Sequence, residues 1–138
     1  MFKLSSKITG ETAAFEYQPA TASEVYAMGE VLKLSSAGAV TKATIADMPE
    51  FLCLADMTAA SGDAVPVMRI TDLQEFETTF AAAATAVKAG NYVTIHSDGA
   101  QVTATTENGV FLVSSMDGTA VGSKVRGYFH RKHPQPVL

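Results

Sequence analysis

NYVTIHSDGAQVTATTENGVFLVSSMDGTAVGSKVRGYF, residues 91–129, decides the fold class. Tyr92, Thr94 and His96 alternate with Val93 and Ile95, which sends the two sets to opposite faces of a strand. SDG (97–99), ENG (107–109) and MDG (116–118) then recur at intervals of nine or ten residues. Asp-Gly and Asn-Gly suit type I′ hairpin turns, because both central residues of such a turn take φ > 0. The pattern predicts an antiparallel meander that buries Val93, Ile95, Val110, Leu112, Val125 and Tyr128. A sheet with one apolar face must cover it, so the expected product is a small β-barrel or sandwich.

Working back toward the N-terminus, VLKLSSAGAVTKA (31–43) reads as a hairpin, with Val31, Leu32 and Leu34 on one arm and Val40 opening the other. FLCLAD (51–56) reads as a buried strand ended by Asp56. AVPVMRI (64–70) is a strand whose Pro66 points to an edge or a bulge, since proline cannot donate to a ladder. Two short helices compete for the rest. Asp47 ahead of Pro49 suits one helical turn, and AAAATAVKAG (81–90) has a helix's composition with Gly90 as its stop, although it equally suits a loop of small residues. TDLQEFETTF (71–80) fits a helix capped by Thr71 only loosely, and its conformation stays open.

Residues 1–22 sustain no period and read as an extended N-terminal arm with scattered aromatics, Phe2, Phe15 and Tyr17. Aromatics kept on an arm imply a docking place for them, in the chain's own domain or on a partner. Residues 23–130 then form the β-rich domain and 131–138 a C-terminal tail. At 138 residues the chain has length for one domain with a real core.

Charged residues are 17% of the chain, low enough that small side chains dominate its surface, as suits a subunit packed against neighbours. A net charge of −4 gives no support to nucleic-acid binding. Seven acids and a single base, Arg69, lie between residues 46 and 80, whereas Lys124, Arg126, Arg131 and Lys132 share the last fifteen residues with no acid. The asymmetry fits either two solvated faces or contacts between copies, with Asp72 and Glu75 of one meeting Lys124 and Arg126 of the next.

Little in the chain suggests chemistry. Cys53 is alone in an apolar run, where a buried, inert thiol is expected. His130 and His133 have chelating spacing, but two cations separate them and no cysteine is near. His96 belongs to a strand's polar face, and Asp98, Glu107 and Asp117 sit at or beside turns. No nucleophile elbow, phosphate loop or paired-cysteine motif occurs, so the motifs argue against an enzyme and call for no cofactor or metal. No apolar stretch approaches the ~20 residues of a membrane span, and MFKLSSKITG lacks a hydrophobic signal core, so synthesis and retention in a cytoplasm are expected.

The order of pieces is more telling: VYAMGEVLKLSSAGAVTKAT, PEFLCLAD, GDAVPVMRI, AGNYVTIHSDGAQVTATT and GVFLVSSMDGTAVGSKVRGYF, spanning roughly 25–129. This order resembles the small capsid decoration (cement, or head-stabilising) proteins of tailed bacteriophages, chiefly through GEVLKL…GAVTKAT and DGTAVGSKVRGYF. The resemblance implies a structural role: a compact β-rich unit, a homo-oligomer with a trimer favoured, on the outer surface of the virion capsid. It would clamp neighbouring major capsid protein subunits. On this chain, Phe2, Lys3, Leu4, Phe15, Tyr17 and Pro19 of the arm would lie on the capsid, and deleting residues 1–20 would leave the domain folded. A head-fibre or receptor/carbohydrate-binding β-module on the virion is the alternative, and a small ligand-binding barrel or enzyme a third reading.

Overall fold

A computed structural model describes residues 1–7 and 15–130. Within them the chain forms twelve strands: Lys3–Lys7 (β1), Phe15–Pro19 (β2), Val25–Tyr26 (β3), Val31–Leu34 (β4), Val40–Lys42 (β5), Phe51–Cys53 (β6), Met57–Thr58 (β7), Ala64–Arg69 (β8), Gln74–Thr79 (β9), Tyr92–Val93 (β10), Phe111–Met116 (β11) and Lys124–Phe129 (β12). One five-stranded antiparallel sheet has the order β1-β9-β12-β11-β10, and the other β2-β8-β6-β4-β5; β3 and β7 pair as a short ribbon. The mainly β expectation therefore holds as a sandwich. The second sheet curls until Ala20, just past β2, bridges Val40 of β5, without closing into a barrel.

Two cores result, because the second sheet is buried on both faces. Val31, Leu52 and Met68 face the first sheet, meeting Phe76, Phe111, Val125 and Phe129. Leu32, Val40, Phe51, Cys53, Val65 and Val67 point the other way, into a smaller core where Tyr26 and Ala59 join them beside the β3–β7 ribbon. Double burial explains the unbroken apolar run of FLC: alternation vanishes when both faces need apolar side chains. Tyr26 is fully buried and satisfies its hydroxyl by donating to the Val40 carbonyl (2.6 Å) and accepting from the Thr21 amide (2.9 Å).

Several expectations need correction. No helix occurs among the described residues. Residues 74–79 are a strand between β1 and β12, with Gln74, Phe76 and Thr78 inward and Glu75, Glu77 and Thr79 outward. The period is two, and Leu73, which a helix would have buried, is exposed. Residues 81–90 form no helix despite their alanines. The amides of Ala81, Ala84 and Gly90 donate to the carbonyls of Val102, Thr119 and Val113, so bonds to neighbouring segments replace the helical ladder; the small-residue loop is the reading that holds.

Pro66 lies in β8, an inner strand rather than an edge. Its carbonyl accepts from Leu54, one residue beyond the end of β6, and the nitrogen of a strand residue points the same way as its carbonyl. The missing donor thus falls where the neighbouring strand has already ended.

Turns occur at SDG and ENG but are not type I′ pairs, and none falls at MDG: Met116 still belongs to β11, and the turn into β12 is at Ala120–Ser123, where the Ser123 amide donates to Ala120 O (3.0 Å). Within SDG and ENG only Gly99 (φ +68°) and Asn108 (φ +57°) take positive φ. The first is shaped by Asp98, whose Oδ1 accepts from the amides of Ala100 (2.8 Å) and Gln101 (3.1 Å). Leu112 and Tyr128, expected inside, are only half-buried and lie opposite each other on the outward face of β11 and β12.

The N-terminal segment is also revised: its described parts, residues 3–7 and 15–19, are strands of the two sheets rather than an extended arm. Phe2 is 1% exposed, its ring 5.1 Å from Phe129 and 5.7 Å from Phe111. Residues 8–14 and the tail at 131–138 lie outside the described residues.

Candidate interaction surface

β2 is an edge strand whose alternation is turned inside out. Glu16 and Gln18 are half-buried, while Phe15, Tyr17 and Pro19 are exposed. In register with β8, Phe15 lies opposite Met68 and Tyr17 opposite Pro66, which puts them on the face that meets the first sheet further along. Met68 is covered there, and Phe15 and Tyr17 are not: each is 65% exposed, their rings edge-to-face at 6.0 Å. The polar side is fixed within the chain. The Glu16 carboxylate accepts from Arg69 (2.7 Å) and Gln18 (2.7 Å), and the Arg69 bond holds its pKa below the usual range. The Arg69 guanidinium also lies 4.9 Å from the centre of the Phe51 ring. A strand so anchored presents its aromatics in one orientation, as an exposed apolar strip on the edge of the second sheet.

Of the six residues assigned to capsid contact, the structure brings only these three to one open face. Phe2 belongs to the main core, Leu4 packs against it half-buried, and Lys3 is exposed on β1 with its ammonium 3.5 Å from Glu77. Sequence reading grouped all six because β1 and β2 are near in the chain; the sheets then take them apart.

The residues assigned to contacts between copies fare differently. Register places Arg126 of β12 opposite Glu77 of β9. Arg126 donates to Glu77 (3.0 Å) and to Asp117 (3.0 Å), and its hydrogen bonds hold the Asp117 carboxyl below the usual range. Glu75 accepts from Ser5 (2.9 Å) and Ser114 (2.8 Å). Arg126 and Glu75 thus have partners inside the chain, whereas Lys124 and Asp72 are exposed. The charge asymmetry is at least partly neutralised within one molecule, by strands 49 residues apart.

Among the described residues no three His, Cys, Asp or Glu side chains gather as a metal site. Cys53 is fully buried and its thiol pKa is pushed up by burial, which suppresses the thiolate. Tyr92 Oη lies 3.3 Å from His130 Nδ1, and His96 Nδ1 lies 3.3 Å from Asp98. A shallow hollow of about 430 Å³ borders Ile45, Thr94, Thr103 and Glu107, and another of about 460 Å³ lies between Met48, Ile70, Asp72 and Phe129.

Two features had no signal in the sequence. Ile45 takes φ +55° although β-branched, with reciprocal bonds to Ile95 (2.9 and 3.0 Å) holding it there, and its side chain is 62% exposed. Glu24 and Glu30 each bury a carboxylate oxygen in the smaller core's rim.

The chain matches no protein-family model and no curated protein.

Proposed function

We propose that this chain is a structural virion protein that binds the outer surface of an assembled tailed-phage capsid and stabilises it by clamping neighbouring major capsid protein subunits. The observation that carries the reading is the outward strip of Phe15, Tyr17 and Pro19 on a pinned edge strand. An aromatic side chain buries about 150–250 Å², and apolar burial stabilises by about 25 cal/mol per Å². Two rings already one-third covered therefore contribute about 5–8 kcal/mol gross per copy, which the cost of association reduces to a weak hold. Weak single contacts suit a clamp, because free protein stays dispersed. Linking three copies raises avidity by about 10²–10⁴ without a new kind of contact, and a trimer remains the favoured assembly. Lys124 and Asp72, exposed and of opposite charge, are the candidates for contact between copies.

The strip replaces the free arm as the anchoring element, so the clamp is a rigid sheet edge and loses little entropy on docking. A carbohydrate-binding module is the second reading, since exposed aromatics also stack sugars. The rings meet at 76°, so they form no shared flat platform, which favours a protein surface.

Mixing the purified protein with undecorated shells and imaging them tests the proposal. Stoichiometric density at symmetry axes is the expected result. Shells that stay bare, with retention on immobilised glycans instead, would transfer the protein to the second reading.

A further inference from the structure

The smaller core carries a charge imbalance that the capsid role does not use. Glu30, just before β4, is 6% exposed. Its nearest cation, Lys42 of β5, stands 3.7 Å from Oε1, longer than the 2.7–2.9 Å of a close charge-assisted bond. Glu24, just before β3, accepts the Thr41 hydroxyl at 2.6 Å through Oε1. The remaining oxygens, Oε2 of Glu24 and Oε2 of Glu30, are both buried and meet no hydrogen-bond partner among the described residues. Lys42 pairs with Glu30, and Glu24 lies close enough to add its negative charge to the same carboxylate. From the packed elements, Cys53 of β6 and Tyr26 of β3 also face this cluster, and Asp56 adds a negative charge near Cys53.

The segment bearing both glutamates is strapped to one stretch of chain. Ser23 donates to Ala59 O (2.8 Å), Ala59 N to Glu24 O (3.0 Å), Gly29 N to Cys53 O (2.9 Å) and Cys53 N to Glu30 O (2.8 Å). Met28 N donates to the Asp56 carboxylate at 2.8 Å. Ser23 holds φ +70°, an unfavourable conformation for a residue other than glycine, maintained by this strapping.

We propose that Glu30, with Lys42 and Glu24 beside it, forms a proton-operated latch, in which protonation of the Glu30 carboxylate fastens residues 21–30 and the β3–β7 ribbon onto the smaller core. An ionised buried carboxylate without a full set of donors is costly, and the cost is relieved either by a proton or by opening the segment to water. Burial, reinforced by the charge on Glu24, raises the Glu30 pKa above 4.5, while the Ala27 amide and Lys42 oppose the rise. Because the folded value exceeds the unfolded one, the folded state binds the proton more tightly. The stabilisation is complete below about 4.5 and is lost as pH rises through the raised folded value. Cys53 and Tyr26 do not share this window, since burial pushes both pKa values up from already alkaline ranges.

Hydrogen exchange, corrected for the intrinsic pH effect, tests the latch when residues 21–30 and 57–59 are compared with β12 between about pH 7.5 and about pH 5. Acidification is expected to raise protection of the segment relative to β12, by up to about tenfold per unit of pKa displacement. Glu30→Gln should be as protected at both pH values as the wild type is in acid. Lys42→Met, which keeps the aliphatic stem but removes the cation, should lose protection at the higher pH and regain it at the lower. Relative protection in the wild type that stays flat or falls on acidification would overturn the latch, as would an undiminished pH response in Glu30→Gln. Should Glu30→Gln fail to fold, a Lys42→Met response equal to that of the wild type would overturn it as well.

Discussion

Replacing Phe2 with alanine separates a structural N-terminus from a free arm. The ring is 1% exposed and packs edge-on to Phe111 and tilted against Phe129, inside the core shared by the two sheets. Its backbone is fixed too, since the Phe2 amide donates to Gly29 O at 2.9 Å. Burying 150–250 Å² of aromatic surface at 25 cal/mol per Å² gives an upper range of about 4–6 kcal/mol. The alanine methyl retains part of this, whereas the void left beside Phe111 and Phe129 adds a cavity cost, so a loss of about 3–5 kcal/mol is expected. In a domain of this size that lowers the melting temperature by roughly 10–20 °C. Urea unfolding followed by circular dichroism reads the change as a shift in midpoint at constant slope. A loss below about 1 kcal/mol would refute the burial of Phe2 and restore the arm.

Three further outcomes follow from local geometry. Gly127→Ala should destabilise by about 1–3 kcal/mol or more, because its Cβ would lie 2.1 Å from Leu112 O and 2.9 Å from the Phe111 ring; an unchanged urea midpoint would show that β11 and β12 are not so close. Tyr26→Phe should cost about 1–2 kcal/mol by orphaning the Thr21 amide, while Val40 O keeps the Thr21 hydroxyl at 2.9 Å; a neutral result in thermal melts would mean that Thr21 finds another acceptor. Ile45→Asn should stabilise by about 0.5–1 kcal/mol, since asparagine tolerates φ +55° better than a β-branched residue and little buried surface is lost. Destabilisation in the same melts would show that the Ile45 side chain is held by contacts beyond its backbone pair.

Several local signals in the sequence were legible. The hairpin of residues 31–42, the buried FLC strand and the final strand with Val125 inward are all present. Residues 71–90 were ambiguous because local preference competes with tertiary pairing: β9 is flanked by a strand on each side, and in 81–90 the amides of Ala81, Ala84 and Gly90 bond to neighbouring segments despite alanine's helix preference. Phe2 and Phe15 looked alike in sequence, yet one is central to the core and the other lies open to water. That difference depends on β1 pairing with β9 and β2 with β8, registers that no short window encodes. Arg126 and Glu77 illustrate the same limit: their charges were visible, but their adjacency is set by the order of strands in the sheet.

The central claim is that the outward face of β2 holds another protein, and a binding isotherm on undecorated shells tests it most directly. Wild-type protein and a Phe15→Ser/Tyr17→Ser variant would be sedimented with shells from the cognate tailed phage. Both side chains are largely solvent-exposed, so the variant should melt with the wild type. Its affinity should fall at least tenfold, which corresponds to about 1.4 kcal/mol, and further if several copies dock together. Equal binding by a folded variant would remove β2 from the interface, and no binding by the wild type would contradict the capsid assignment itself.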